Sequence, residues 1–302
     1  MTQMKNEEVI TITVPESFAH LSVEQLLRHK WKVPKKMLHE WRMKKAVQVN
    51  EEIVHWKKEV QHGDQLQLLI KRETNNLLPN NHPLQILYED DHLYIVNKPA
   101  GMVTHPNESA QVNTLANIVA NYFLTKEDNR KIRPIHRLDQ HTTGALLFAK
   151  HALSQAILDR MLAEKAIKRT YWAIICGIVK KDEGIIDQPI GRDRHHPTRR
   201  RISRTGQHAV TIYRVLDRFP KENVTLVECE LKTGRTHQIR VHMAAFGHPI
   251  AGDSLYGGKK RYKRQALHAR QLSFIHPFTQ QVVVCKAPLL DDEPIFEKYP
   301  SS

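Results

Sequence analysis

Between residues 86 and 288 the chain is built of short apolar runs of strand length separated by tight turns, and this limits the fold more than anything else in it. ILYEDDHLYIVNKPAG (86–101) has two apolar runs around Asp90-Asp91, stopped by Pro99, which predicts a hairpin. GALLFAK (144–150), YWAIICGIV (171–179), AVTIYRVL (209–216) and NVTLVECEL (223–231) read as strands, and LSFIHP…QQVVVCKAP (272–288) closes with another hairpin. Helical periodicity is confined to 114–124, where Leu115, Ile118, Val119 and Tyr122 share a face, to 153–165 and to a short stretch at 236–246. Short turns join antiparallel neighbours, whereas parallel ones need long crossovers. The expected class is therefore α+β, around a largely antiparallel or mixed sheet and not a βαβ array.

The first seventy-odd residues have a different character. Residues 8–14 (EVITITV) alternate as a strand does, and Pro15 ends the run. From Leu21 to Lys45 the pattern turns helical and strongly basic, with Ser22 as N-cap and Pro34 dividing it into two helices. Short strands follow near 47–50, 53–56 and 65–70, with Gly63-Asp64 as a turn. TNNLLPNNHP (74–83), rich in Asn and Pro, has no periodicity and reads as a linker. The expected division is a basic module over 1–75, a linker over 76–84 and a catalytic domain over 85–302.

Lys and Arg total 46 against 32 Asp and Glu, a net charge of +14, which favours a polyanionic partner: a nucleic acid or an acidic membrane surface. No run approaches the ~18 apolar residues of a membrane span. The N-terminal residues MTQMKNEEVITITV lack the apolar core of a signal peptide. Cys176, Cys229 and Cys285 are far apart, which argues against a zinc ribbon or a disulfide framework. A cytoplasmic protein is the expectation.

Two segments combine polar density with tight turns inside apolar flanks. In IHRLDQHTTGALLF (135–148), Asp139 stands beside Arg137 and His136, ahead of a Thr-Thr-Gly turn that feeds a buried strand. Taken alone, this could equally be a surface turn with a capping Asp. In LKTGRTHQIRVHMAAFGHPIAGD (231–253), a strand ends in Thr-Gly and a helix opens among Arg, His and Gln. Such a helix start offers N–H donors and guanidinium groups to an anion, though an amphipathic helix with a basic face would read the same.

Together these segments resemble the RluA-like family of RNA pseudouridine synthases. The resemblance runs from about residue 85 to 288 and rests on motifs in family order. They are NKPAG (97–101), HRLD with TTG (136–144), Tyr171 after Lys168, PIGRD (189–193), GxxAxTxY (206–213), LxTGRTHQIRVH (231–242) and GHPIAGDxxYG (247–257). The resemblance implies that Asp139 is the catalytic carboxylate and that Arg137 enters the RNA stack to help flip the target. It implies that Tyr171 stacks on the uracil and assists deprotonation at C5, that Ile239 faces the ring from the other side and that Arg240 pairs with Asp139. His136 and Arg235 join Arg137 and Ile239 as expected substrate-binding residues. The implied partner is ribosomal or transfer RNA, the implied state a monomer. Asp253 and His268 read as structural.

The chemistry agrees. Detaching a base, turning it and reattaching it through carbon needs no redox cofactor, and no cofactor or metal is expected. It needs an ionised carboxylate that attacks or stabilises the reacting sugar or base, walls for the ring and exclusion of water. Flipping the base costs a few kcal/mol, partly recovered by stacking. His237 and His242 lack an acidic neighbour of the HExxH kind, which speaks against a metal site. GRDRHHPTRRRISR (191–204) and KKRYKR (259–264) read as loops that contact phosphates. VEQLL, the two basic helices, VQVNEEIV (47–54) and GDQLQL (63–68) resemble the RNA-binding module named after ribosomal protein S-four. The rival readings are a non-catalytic RNA-binding protein, which an intact HRLD disfavours, and a metal-dependent phosphate hydrolase, which lacks a second acidic ligand near Asp139.

Overall fold

The computed structural model describes residues 7–106, 108, 111–290 and 295–299. Its first part has the order β1 (Glu7–Thr13), α1 (Val23–Gln25, running into a π turn over Leu26–Lys30), α2 (Lys35–Lys44), β2 (Val47–Val49), β3 (Glu52–Ile53) and β4 (Gln65–Lys71). The strands pair antiparallel in the order β1-β4-β2-β3. Alternation decides which face is buried: Ile10 and Ile12 of β1 and Leu66, Leu68 and Ile70 of β4 cover Leu26, Leu27, Leu38 and Trp41 of the helices. Ser22 caps α1 through a reciprocal box, its Oγ accepting from Gln25 N at 3.2 Å while Gln25 Oε1 accepts from Ser22 N at 2.7 Å.

This core does not close on itself. Leu153, Ile157 and Phe278 from the later chain belong to it. Trp31 packs edge-on against Phe278 at 5.2 Å and donates its Nε1–H to Pro277 O at 3.1 Å. The expected linker has no helix or regular strand, yet it is tied down. Asn75 Nδ2 donates to Asn129 Oδ1 (2.8 Å), Asn117 Nδ2 to Leu78 O (2.8 Å) and Asn80 N to Asn117 O (3.2 Å). Asn75 Oδ1 and Asn80 Oδ1 accept from Leu77 N and His82 N, both at 2.9 Å, and so satisfy backbone groups that a strand ladder would otherwise serve.

The remainder comprises β5 (Gln85–Glu89), β6 (Leu93–Lys98), α3 (Leu115–Leu124), β7 (Arg133–Pro134), β8 (Thr143–Ala149), α4 (Ala152–Ala163), β9 (Lys168–Cys176) and β10 (Glu183–Asp187). It continues with β11 (Ile190–Arg192), β12 (Arg200–Ile202), β13 (Val210–Phe219), β14 (Val224–Leu231), α5 (Gln238–Ala245), β15 (Leu267–Ile275) and β16 (Val282–Lys286). Among the described residues ten strands form one mixed sheet, ordered β10-β13-β14-β9-β15-β8-β6-β5, with β16 on β15 and β7 on β8. The fold is α+β, as the turn pattern predicts. Among the described strands only β15 and β8 pair in parallel, at His268↔Thr143 and Ala269↔Gly144. The sheet forks there, because β15 passes from β8 to β16 across a bulge between Ala269 and Gln271. Gly144, at φ +112°, is required at the fork: a Cβ would stand 2.3 Å from Ala269 O.

The basic run 191–204 departs from the loop expected of it. Its ends form the antiparallel hairpin β11–β12, because Ile190 and Ile202 pack with Ala209 against Val241 of α5. Asp193 ties the tip, accepting from His195 N (3.0 Å) and Arg199 Nε (2.7 Å). KKRYKR is a loop, as expected, but its Arg264 is buried and binds the carbonyls of Gln265 (2.7 Å) and Leu267 (3.0 Å), so that side chain also holds the fold together.

Candidate active site

The loop between β7 and β8 carries Asp139, and it is held from several sides. Buried Leu138 anchors it, its N–H donating to Thr104 Oγ1 at 3.3 Å. Thr142 N donates back to Asp139 O at 3.0 Å, closing the turn. Lys98, fully buried at the end of β6, donates to Gln140 O (3.0 Å) and Pro99 O (2.8 Å), and Gln140 Nε2 reaches Gly101 O at 3.0 Å. NKPAG and HRLD thus grip one another. Burial pulls the Lys98 ammonium down to about 7 against the opposing charge of Asp139. Sequence reasoning gave Lys98 no role; a Lys before a strand-ending Pro was its only signal.

The second motif builds the opposite wall. Thr233 Oγ1 accepts from Val210 N (2.9 Å) and donates to Gln238 Oε1 (2.7 Å). Gln238 Oε1 also accepts from Arg235 N at 3.0 Å. This lattice of Thr and Gln turns the chain sharply into α5 and brings Arg240 over Asp139. His242 points elsewhere, bonded to Thr211 Oγ1 and Gln188 O.

Arg240 joins two carboxylates. Its Nη1 donates to Asp139 Oδ2 at 3.1 Å, while Nε and Nη2 make a bidentate pair with Asp253 at 2.7 and 3.0 Å. Burial works against the guanidinium charge, but Asp253 and Asp139 outweigh it and raise its pKa. Asp253 is buried and contacts the site through Arg240 alone among these bonds. Asp253 also stands in the lining of the cavity over Asp139, where its bidentate pair aims Arg240. The cavity, of about 470 Å³ and within the usual range for ligand sites, has Arg137, Arg240, Lys263 and Arg264 in its lining. Such walls suit an anionic ligand.

A smaller recess of about 50 Å³ shares Arg137, Leu138, Asp139, His237 and Arg240 with the cavity, and adds Tyr171, Arg235 and Ile239. Tyr171, on β9, and Ile239, on α5, are both buried there. Burial raises the Tyr171 phenol, and the charge of Asp139 adds to it. Arg137 is exposed at the rim, as is Arg235, whose Nε donates to His208 O at 3.0 Å. Of the seven expected residues, six line this joined space.

His136 is the exception. It is absent from the walls of both cavities, and its Nε2 accepts from Leu147 N at 3.3 Å. Burial, reinforced by Arg169, drives it down to about 3, and the neutral ring supports strand β8. His237, by contrast, which the sequence presents only as an unsuited metal ligand, lines both spaces. Sequence gave no sign of it beyond its position between Thr236 and Gln238.

Comparison with known proteins adds to this geometry. Residues 92–245 match the family described as RNA pseudouridylate synthase, and residues 10–66 match the RluD ribosomal pseudouridine synthase N-terminal domain. A Bacillus subtilis protein described as the uncharacterized RNA pseudouridine synthase YhcT is 48% identical over 269 residues, covering 88% of this chain and 89% of that one. Ribosomal large subunit pseudouridine synthase D of Nitrosomonas europaea is 39% identical over 303 residues, covering 95% and 87%. Among solved structures, human RNA pseudouridylate synthase domain containing 1 superposes with a TM-score of 0.57 at 26% identity, covering 69% of this chain and 84% of that one. Among the described residues no helix is long and apolar enough to cross a membrane.

Proposed function

The chain belongs to the RNA pseudouridylate synthase family, and on that premise we propose that it isomerises specific uridines of large-subunit ribosomal RNA, with Asp139 as the catalytic carboxylate on a flipped-out base. The observation that carries this reading is the contact of Arg240 Nη1 with Asp139 Oδ2 at 3.1 Å, inside a cavity with basic walls. An always-charged guanidinium favours the carboxylate form. Among the described residues no hydrogen bond falls on the other oxygen, Oδ1, which leaves an acceptor or nucleophile for the sugar or base. Tyr171 and Ile239 are the two walls for the uracil, and Arg137 at the rim fills the gap that the flipped base leaves. Arg235 meets the backbone. The reaction is redox-neutral and uses no cofactor.

The choice of ribosomal over transfer RNA draws on the N-terminal match and on the names of the relatives. In this reading residues 1–75 form an RNA-binding module of the S-four kind, 76–84 a strap and 85–302 the catalytic domain of a cytoplasmic monomer. Exposed Lys35 and Lys36 at the start of α2 contribute phosphate contacts. Replacing both with Glu should raise KM and flatten its salt dependence while sparing kcat. The test of the substrate is carbodiimide mapping of pseudouridine in total RNA from cells with and without the gene. Sites should vanish from large-subunit ribosomal RNA. Loss from transfer RNA alone would redirect the substrate, and no loss in any RNA would contradict the reading.

A further inference from the structure

His237 sits at the N-cap of α5 with φ 59° and ψ 22°, a left-handed conformation uncommon for a non-glycine residue, though His adopts it more readily than most. Its ring is largely enclosed, yet it faces both the main cavity and the recess beside Tyr171. Neither the turn lattice of Thr233 and Gln238 nor the Arg240 ion pairs use it.

The bonds around it select one tautomer. The main-chain N–H of Arg200 donates to the Tyr256 hydroxyl oxygen at 2.9 Å. That hydroxyl lies 2.9 Å from His237 Nδ1, and among the described residues its proton has no other acceptor, so the arrangement that satisfies both groups has it donating to the ring. Nδ1 is then an acceptor, so the imidazole proton resides on Nε2. Nε2 stands 4.0 Å from Asp139 Oδ2, the same oxygen that Arg240 holds. The opposite tautomer would aim a lone pair at a carboxylate. Burial lowers the pKa of His237, with Arg240 and Arg200 working in the same direction and Asp139 and Asp253 against them, which keeps the ring neutral near pH 7.

We propose that His237 is a positioning residue for the isomerisation, its Nε2–H fixing Oδ2 of Asp139 so that Oδ1 faces the substrate. The inference rests on Asp139 being the catalytic carboxylate. The 4.0 Å separation closes to a hydrogen bond when RNA fills the cavity, as such contacts do on forming a reactive complex. The relay also has a far end. Arg200 opens β12 in the basic hairpin, so RNA that seats the hairpin seats Tyr256, His237 and the carboxylate in turn.

Glutamine and asparagine separate this role from a merely structural one. The amide nitrogen of Gln reaches the position of imidazole Nε2, whereas that of Asn stops near Nδ1. Asn also tolerates the left-handed backbone, so His237→Asn should fold. The measurement is tritium release from 5-labelled uridine RNA in single turnover, with KM from multiple turnover and thermal unfolding as a control. His237→Asn should slow the single-turnover rate on the order of 10- to 100-fold, as for loss of a hydrogen bond to a charged group, with KM within about two-fold. His237→Gln should stay within about five-fold of wild type, and Tyr256→Phe, which frees the tautomer, should fall between them. A wild-type rate for His237→Asn, or equal slowing by Asn and Gln, would overturn the proposal. If Asp139→Asn is inactive in the same assay while His237→Asn is normal, the positioning role alone fails. If Asp139→Asn turns over, the catalytic assignment fails and this inference with it.

Discussion

The histidine cluster between the N-terminal module and the main sheet is as rich in titratable groups as the cavity around Asp139, yet it is closed while the cavity keeps a carboxylate oxygen open. In the cluster the ring nitrogens face one another, backbone amides or Asp90. His151 Nδ1 accepts from Ser154 N at 3.1 Å, which puts its proton on Nε2, facing His92 Nδ1 at 3.0 Å. His276 Nδ1 accepts from Thr279 N at 3.0 Å, which turns its Nε2 to Asp90 at 3.1 Å. Asp90 bears burial, but His276, Tyr88 and the amides of His92 and Leu93 hold it well below the usual carboxylate range. Phe278 packs on all three rings and passes the contact to Trp31. Around Asp139 the charges are instead paired on one side and bare on the other. On the proposed reading, what separates the two regions is a carboxylate oxygen without a hydrogen bond beside a cavity.

That contrast predicts separable failures. The largest concerns Arg240→Gln, which leaves Asp253 buried without its cation and Asp139 without its partner. Breaking a buried pair costs about 3–5 kcal/mol, and the relief available to a carboxylate is to take up a proton. Single-turnover rate at neutral pH should fall by about 100-fold or more and recover partly as pH rises. A rate equally low at every pH would mean that Arg240 orients the site without keeping it charged. Near-normal rates would point to Arg235.

Trp31→Ala should injure the other region alone. It removes a buried ring from the seam at a cost of about 3–5 kcal/mol, read as a lowered denaturation midpoint. The rate of the folded fraction at saturating RNA should stay near wild type. A large loss of rate would mean that the seam and the site are coupled, and the contrast would collapse.

A smaller effect follows from pH. Burial holds His92 down to about 4 and His151 well below its ordinary value. Their folded-state values lie below those of the unfolded chain, so between about pH 6.5 and 4 the unfolded chain binds protons that the native state refuses. Stability is full above that window and falls as pH drops through it, by up to about 1.4 kcal/mol per pH unit for each group. Urea unfolding at pH 7.5, 6 and 5 should show this slope, and His92→Asn should lessen it by one proton's share. Equal slopes would remove His92 from the account.

The two regions also differ in how far the sequence exposes them. Asp139, Tyr171, Ile239 and Arg240 can be named before any coordinates because each lies inside a contiguous motif, and the structure brings those motifs to one cavity. The strands are legible from alternation and turns, but the parallel β15–β8 pair is not, since nothing local announces a pairing across 125 residues. Asp253 and Lys98 act through approaches made only in three dimensions. The tautomer of His237 depends on an amide in a hairpin that its arginines disguise as a loop, because Ile190 and Ile202 are sparse among charges. His136 misleads for the converse reason: adjacency to Arg137 in sequence puts it on the opposite side of the chain, against Leu147.

The claim at the centre is that the open oxygen of Asp139 does the chemistry. Asp139→Asn keeps the shape of the side chain and removes the ionised oxygen, so RNA affinity and thermal stability should change little. Tritium release from 5-labelled uridine RNA, followed in a single turnover at saturating enzyme, should fall to the background of an enzyme-free control. Release by the variant at a substantial fraction of the wild-type rate would contradict the account.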